Sequence, residues 1–342
     1  MLSKKTVGAP CVSVAITFML GVVCAVSLCT EKVQAMVLLP TDHTVTMVAV
    51  GDVMLSRNVG TAMTKRNDYN YPFLKTRNLL KKGDIVFCNL ETAIFPGRPI
   101  KTGEMSFRSD VQVARAMKDA GFTVVSLANN HVPNFGAKGI ADTLKYLDKA
   151  GIAHVGAGAN VKQALKAATM TVNDVRFSIL AYNDSDVVPA SYGATEKRAG
   201  TALMDVTAMV NAVKAAKKTS DIVIVSMHSG TEYKATPNAR QQRFARAAID
   251  AGAVIVIGHH PHVVQSVEKY KGKWIIYSLG NFVFDQMWSV PTRQGVMASI
   301  IFTKEGVSRI DYTPVQIENY AQPRVLTGAE AKAVLARLKL PE

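Results

Sequence analysis

From Thr46 onward, apolar runs of strand length alternate with segments of helical spacing. Thr46–Val50, Asp84–Cys88, Phe122–Ala128, Ile222–Met227 and Val254–Ile257 are almost unbroken in Val, Ile, Ala and other apolar residues. Such runs suit strands buried on both faces, as in a sheet covered by helices. Between them the spacing predicts helices over Phe73–Lys82, Val111–Ala120 behind the start signal Ser109-Asp110, and Ile140–Ala150 closed by Gly151. Further helices are predicted from a cap at Asp205 to about Lys218, and over Gln241–Ala251 with a stop at Gly252. A hairpin is expected where Thr169–Val172 and Arg176–Tyr182 flank Asn173-Asp174. Beyond Val263 the pattern turns to β structure: Val263–Tyr270, Trp274–Ser278, Gly295–Phe302 and Val307–Tyr312. Thr327 and Glu330 have capping-box spacing ahead of a final helix. With no repeat and no low-complexity tract, one α/β domain with a second, partly antiparallel sheet is the simplest reading.

The N-terminus departs from this pattern. Lys4 and Lys5 precede an uncharged, mostly apolar run from Thr6 to Thr30. Positive charge ahead of an apolar stretch marks an export signal, and the run is also long enough for a membrane anchor at ~20 residues per crossing. Residues 1–36 are therefore expected to be a signal peptide or anchor, 37–44 a linker, 45–320 the main domain and 321–342 a C-terminal helix. Either reading of the first segment puts the domain outside the cytoplasm, secreted, periplasmic or membrane-anchored. Three of the four cysteines lie in that segment, so Cys88 is left without an internal disulfide partner and is read as a small buried residue.

The chain carries a net charge of +14, with 40 Lys and Arg against 26 Asp and Glu. That balance favours anionic partners, and equally describes a solvated basic surface. No nucleic-acid-binding motif accompanies it, so nucleic acid is not an expected partner.

The chemistry lies at the ends of the buried runs. The first ends in Gly51-Asp52, the second in Asn89-Leu90-Glu91 and the third in Asn129-Asn130-His131. The fourth ends in His228-Ser229-Gly230 and the fifth in Gly258-His259-His260-Pro261-His262. Five of the seven histidines fall at these places. Open α/β sheets bind ligands beyond the carboxyl ends of their strands. A single His or Asp there is commonly structural; their recurrence at five ends points to one site. Oxygen and imidazole donors without thiolate suit Mn, Fe or Zn, as one or two divalent ions.

The segments GDVML, NLE, ANNH, HSGTEY, GHHPHVVQSVEKYKGKW and YSLGNFVFD resemble the CapA/PgsA family of bacterial capsule and poly-γ-glutamate synthesis proteins, a branch similar to the calcineurin-like metallophosphoesterases. The resemblance covers residues 45–320 and implies an αββα sandwich with mixed sheets and a metal centre at the strand ends. It implies Asp52, Glu91, Asn130, His228, His260 and His262 as metal ligands, with His259 an alternative to His260. It implies catalytic roles for Asp52 and for His131, the latter contacting the anionic group of a substrate. Glu232, Asn281 and Asp285 fall in motifs expected to line the site. Two departures stand out: Met54 occupies a position where ordinary metallophosphoesterases carry a His, and Asn134 one where the CapA/PgsA family usually carries Asp.

Two functional classes are compatible with these residues. One is a hydrolase in which cations activate water against a phosphoryl or, as a lesser alternative, an amide centre, with His131 giving a proton or hydrogen bond to the leaving side. The other is a non-catalytic component of a membrane capsule-synthesis complex, holding an anionic polymer on basic faces such as Lys162/Lys166, Lys214/Lys217/Lys218 and Arg240/Arg243/Arg246. No Gly-x-Ser-x-Gly elbow, Walker loop or dinucleotide glycine loop is present, which makes a plain serine-hydrolase reading weak and leaves a nucleotide-binding loop without a motif.

Overall fold

The computed structural model describes residues 43–341. Residues 1–36, and nearly all of the expected linker, lie outside that range. Among the described residues no helix is long and apolar enough to cross a membrane.

Two mixed sheets face each other. The first contains β1 (Val45–Val53), β2 (Ile85–Leu90), β3 (Val124–Ser126) and β4 (Ala153–Val155), all parallel. The second contains β5 (Ala168–Val172), β6 (Val175–Asn183), β7 (Ile222–His228), β8 (Ile255–His259), β9 (Val267–Tyr270) and β10 (Lys273–Ile276). Its strand order is β9-β10-β8-β7-β6-β5, parallel at the centre and antiparallel at both edges. The chain then returns to the first sheet as β11 (Asn281–Val283), β12 (Gln294–Thr303), β13 (Gly306–Glu318) and β14 (Gln322–Val325). The last three form an antiparallel wing on β1, and β11 pairs with the end of β1 in parallel.

The two-residue period of a strand divides the core into layers. Val45, Met47, Ala49, Ile85 and Phe87 of the first sheet meet Phe177, Ile179, Ile222, Ile224, Ile255 and Ile257 of the second in one buried cluster. The alternate residues point outward. Val48, Val86, Cys88 and Val125 pack on α1 (Arg57–Arg66), α2 (Gln112–Ala120) and α3 (Gly136–Ala150) through Val59, Met63, Val113, Met117 and Leu147. Leu180, Val223, Val225 and Val256 pack on α4 (Val206–Lys217) and α5 (Ala239–Ala251) through Met209, Val213, Phe244 and Ala248. The result is the αββα sandwich that the near-continuous apolar runs require: both faces of each central strand are covered.

Several local expectations hold. Asp205 accepts from the Ala208 amide at 2.7 Å and caps α4. Asn173 and Asp174 both take left-handed backbone in the β5–β6 turn. Others are corrected. Phe73–Lys82 is not one helix but a 3-10 turn, Tyr71–Phe73, and a single helical turn, Arg77–Leu80. Its apolar residues come as two separated pairs, 73–74 and 79–80, which give no continuous stripe. The segment after 321 first adds strand β14, whose backbone pairs with Val315–Glu318, and only then forms α6 (Gly328–Leu335). Thr327 makes no side-chain cap there, and Glu330 instead approaches Arg324 at 3.6 Å.

Phe177 and Phe302 meet edge-to-face between the sheets, centroids 5.4 Å apart. Truncating Phe177 to Ala is expected to cost ~3–5 kcal/mol of unfolding free energy, read from a urea transition; a loss below about 1 kcal/mol would mean the inter-sheet layer is not the main core.

Candidate metal centre

Parallel register brings the strand ends to one level. Asp52 pairs with Asn89 on one side and with Asn281 on the other, and His228 pairs with His259 across β7–β8. A bulge in β1 between Ala49 and Asp52 sets the Asp52 side chain. The bulge brings Gly51 against β11: a Cβ on Gly51 would stand 1.8 Å from the Gly280 carbonyl oxygen, and the Asp52 amide donates to that same oxygen at 3.0 Å. Only glycine permits that approach.

Around Asp52 the side chains interlock. Asn89 Nδ2 donates at 2.8 Å to both Asp52 Oδ1 and Glu91 Oε1 and lies 3.2 Å from His228 Nδ1. Asn129 holds this amide in turn, donating to Asn89 Oδ1 at 3.0 Å and to the Leu90 carbonyl at 2.8 Å. Asp52 Oδ1 faces His259 Nδ1 and Asp52 Oδ2 faces His262 Nδ1, each at 3.3 Å. His262 Nδ1 is also 2.9 Å from Asn281 Oδ1. His228 Nε2 lies 3.1 Å from Asn130 Oδ1, and the His228 and His260 rings are 4.7 Å apart. Asp52, Glu91, His228, His259, His260, His262 and Asn281 are all buried.

Two sets of donor atoms are spaced to grip a cation, each within 4.8 Å: Asp52, Glu91 and His228 in one, Glu232, His260 and His262 in the other. Glu91 Oε2, His260 Nδ1 and His259 Nε2 are buried with no hydrogen-bond partner. Leaving such atoms unpaired costs ~1–3 kcal/mol each, and a bound cation removes that penalty for the atoms it reaches. The donor set therefore fits divalent metal. His260 and His262 both have left-handed φ, +99° and +57°, and Arg57 and Tyr233 nearby do too, at +44° and +63°. Non-glycine residues held there cluster at functional sites.

Electrostatics point the same way. Burial raises the Glu91 carboxyl well above the carboxylate range, and the neighbouring Asp52 charge adds to it. For Asp52 burial also acts upward, but hydrogen bonds and charge from His259 and His262 outweigh it, and the net displacement is well downward. Burial pulls His262 down, yet the Glu91 and Asp52 carboxylates prevail and bring it to about 9. Burial lowers His260 to about 4 and His228 well below its ordinary value. Asp52, His228 and His260 are thus held in the deprotonated form a metal ligand needs, whereas Glu91 and His262 would release their protons when a cation binds.

The remaining expected residues sit around this cluster. His131 stacks on Phe107, centroids 3.7 Å apart, and lines a cavity of about 600 Å³ with Glu232, His262 and Asp285. Asp285 is turned from the cluster to an ion pair with Arg57, and accepts from the Asn58 amide at 3.2 Å. Asn281 donates to Gln286 Oε1 and the Thr292 carbonyl, which orients its oxygen to His262. Met54 is buried in the core, and its sulfur receives the Ser56 amide at 3.0 Å. Glu232, from a different loop, is the acid that joins the imidazoles. Asn89, Asn129, Arg57 and Phe107 carry no assignment from the sequence, although Asn89 lies two residues before Glu91 and so on the same side of the strand.

The Asn134 departure fixes a proton. Asn134 Oδ1 accepts from the Phe107 amide at 3.0 Å and its Nδ2 donates to the Asn130 carbonyl at 3.3 Å, which identifies the oxygen. His131 Nδ1, 3.1 Å from that oxygen, must carry the hydrogen. Burial, the largest influence, brings the His131 pKa down to about 3. In the metal-free protein the ring is therefore neutral, with its hydrogen on Nδ1 and Nε2 left as a proton acceptor.

Comparison with known proteins comes down on one family. Residues 46–286 match the model of the family described as "Bacterial capsule synthesis protein PGA_cap". The chain belongs to the bacterial capsule synthesis protein family. Within this family it is 35% identical over 296 residues to the "Capsule biosynthesis protein CapA" of Bacillus anthracis, covering 84% of this chain and 71% of that one. It is also 35% identical over 279 residues to the "PGA biosynthesis protein CapA" of Bacillus subtilis, covering 81% and 72%. Among solved structures, the calcineurin-like phosphoesterase YfkN of Bacillus subtilis is 12% identical with a TM-score of 0.45, covering 86% of this chain and 96% of that one.

Glu232→Gln is expected to lower the divalent metal retained per chain, by elemental analysis of dialysed protein; unchanged stoichiometry would remove Glu232 from the site. For the metal-free protein, His131 at about 3 folded against 6.5 unfolded means that the unfolded chain binds more protons between those values. Its contribution therefore falls as pH drops from 6.5 toward 3. Asn134→Asp places a carboxylate on Nδ1, favours the imidazolium and is expected to raise the His131 pKa by ~1 or more; an unmoved His131 proton resonance in an NMR titration would refute the tautomer assignment.

Proposed function

We propose that this chain is an extracytoplasmic, metal-dependent hydrolase of the phosphoesterase type that serves capsule or poly-γ-glutamate synthesis. The observation that carries the reading is the pair of donor groups, Asp52/Glu91/His228 and Glu232/His260/His262, the second of which opens through Glu232 and His262 onto a cavity. Family membership supplies the biological setting, and the Lys4-Lys5 and Thr6–Thr30 pattern supports export.

In this reading Asp52, Glu91, His228 and Asn130 hold one ion, and Glu232, His260 and His262 a second. Mn, Fe or Zn bound there supplies Lewis-acid polarisation of a phosphoryl group and activation of water. The chain's own residues do the rest. Asn89 keeps the two carboxylates apart and pointed at the cluster, and Asn281 orients His262. His131, braced by Phe107 and Asn134, accepts a proton at Nε2. Phe107 and Phe284 wall the cavity against bulk water.

A second reading has one observation of its own. Lys214, Lys217 and Lys218 are exposed together around Ala251 and form a basic groove suited to an acidic polymer. Arg240 and Arg246, by contrast, are committed to Asp184 and Glu268.

Manganese-loaded protein is expected to hydrolyse bis(p-nitrophenyl) phosphate, and Asp52→Asn and His228→Ala are each expected to lose more than the ~10–100-fold typical of groups one step removed from a metal. Wild-type turnover no higher than that of the two variants would sink the hydrolase reading. Salt-sensitive binding of poly-γ-glutamate that disappears on Lys214→Glu/Lys217→Glu would then leave the polymer-binding role.

A further inference from the structure

The cavity beside the cluster, at about 600 Å³, is far larger than a phosphate ion or one glutamyl unit needs and falls in the range that holds a drug-sized ligand. Its charge is the first constraint on what fills the remainder. Arg57 is the only Lys or Arg among the described residues lining it, and Arg57 is already ion-paired with buried Asp285. A repeating polycarboxylate would meet Glu232 and Asp285 there with no free cation to receive it, and unpaired charge at a desolvated surface is costly.

The surface is the second constraint. Tyr233, Trp288 and Tyr320 are 46%, 64% and 50% exposed, and they are the exposed aromatic side chains among the described residues. All three line this one cavity, together with Met105. Exposed apolar groups gathered at one place mark a binding surface. Geometry is the third. The Tyr233 and Trp288 rings stand at 81° with centroids 5.9 Å apart, so they make a corner and not a parallel slot for a flat base. A pyranose chair has apolar C–H faces that lie on aromatic rings and a rim of hydroxyls. Asn58, Thr102 and Gln286 offer uncharged hydrogen-bonding groups to that rim.

We propose that the cavity accepts a neutral sugar ring carried on a phosphate ester, with the ring in the Tyr233–Trp288 corner and the phosphoryl group against His131 and His262. This substrate class rests on the phosphoesterase reading above. The sugar ring supplies the apolar contact area, and the ester directs the only anionic part of the ligand to the cation ligands.

Isothermal calorimetry on the purified, manganese-loaded chain tests it, with inorganic phosphate, glycerol 1-phosphate, glucose 1-phosphate and uncharged methyl glucopyranoside as probes. AMP and a γ-glutamyl oligomer serve as comparison ligands. Glucose 1-phosphate is expected to bind about tenfold more tightly than glycerol 1-phosphate, and Trp288→Ala, with Tyr320→Ala as a second exposed variant, to bring that ratio toward one. Equal affinities for the two esters, or a preference indifferent to both variants, overturns the proposal. Tighter AMP binding overturns it in favour of a nucleobase, and tighter oligomer binding in favour of a polyanion. If no phosphate compound binds but methyl glucopyranoside does, dependent on Trp288, the phosphoesterase reading fails and the sugar corner stands.

Discussion

One amide holds two buried carboxylates. Asn89 donates to Asp52 and Glu91 at equal distance, and neither acid has access to water. Like charges that close in a low-dielectric interior repel strongly. They persist as a pair only with donors, imidazolium or a cation among them. Asn89 supplies the donors, His262 the positive charge, and the unpartnered atoms around them leave room for metal. The rest of the site depends on that local balance. Neutral His228 and His260, strained backbone at His260 and His262, and the amide relay through Asn129 all serve to keep two acids where water cannot stabilise them.

The layered fold makes the arrangement reproducible. Alternation along each central strand commits one set of side chains to the inter-sheet layer and the other to helices. Little beyond a small serine such as Ser178 or Ser226 is polar before the strand ends, so polar residues accumulate there. Parallel pairing puts those ends on the same side of both sheets.

This is why the sequence reveals so much of the centre. Long apolar runs stopped by Asp52, Glu91, Asn130-His131, His228 and His259–His262 can be read directly, because burial on both faces leaves a strong pattern. What the pattern conceals depends on tertiary geometry. Glu232 and Met54 exchange importance because one loop reaches the imidazoles while the other side chain turns into the core. The tautomer of His131 is hidden because it is set by a contact with Asn134, whose oxygen is identified by the Phe107 amide and the Asn130 carbonyl. The short helix at Arg77–Leu80, the β14 strand and the unused Thr327 cap are hidden by similar competition: local propensity is weak, and backbone pairing or an ion pair decides.

The contact between Gly51 and Gly280 carries a consequence for how the centre is born. Asp52 is among the earliest residues of the domain to leave the ribosome, yet its amide is fastened to the carbonyl of Gly280, far later in the chain. His259, His260 and His262 also come late. During synthesis the first acid must wait for its partners until the second sheet is complete and the chain has crossed back to the first. The cluster around Asp52 is thus complete only in the finished fold, as a seal on the molecule and not a seed for it.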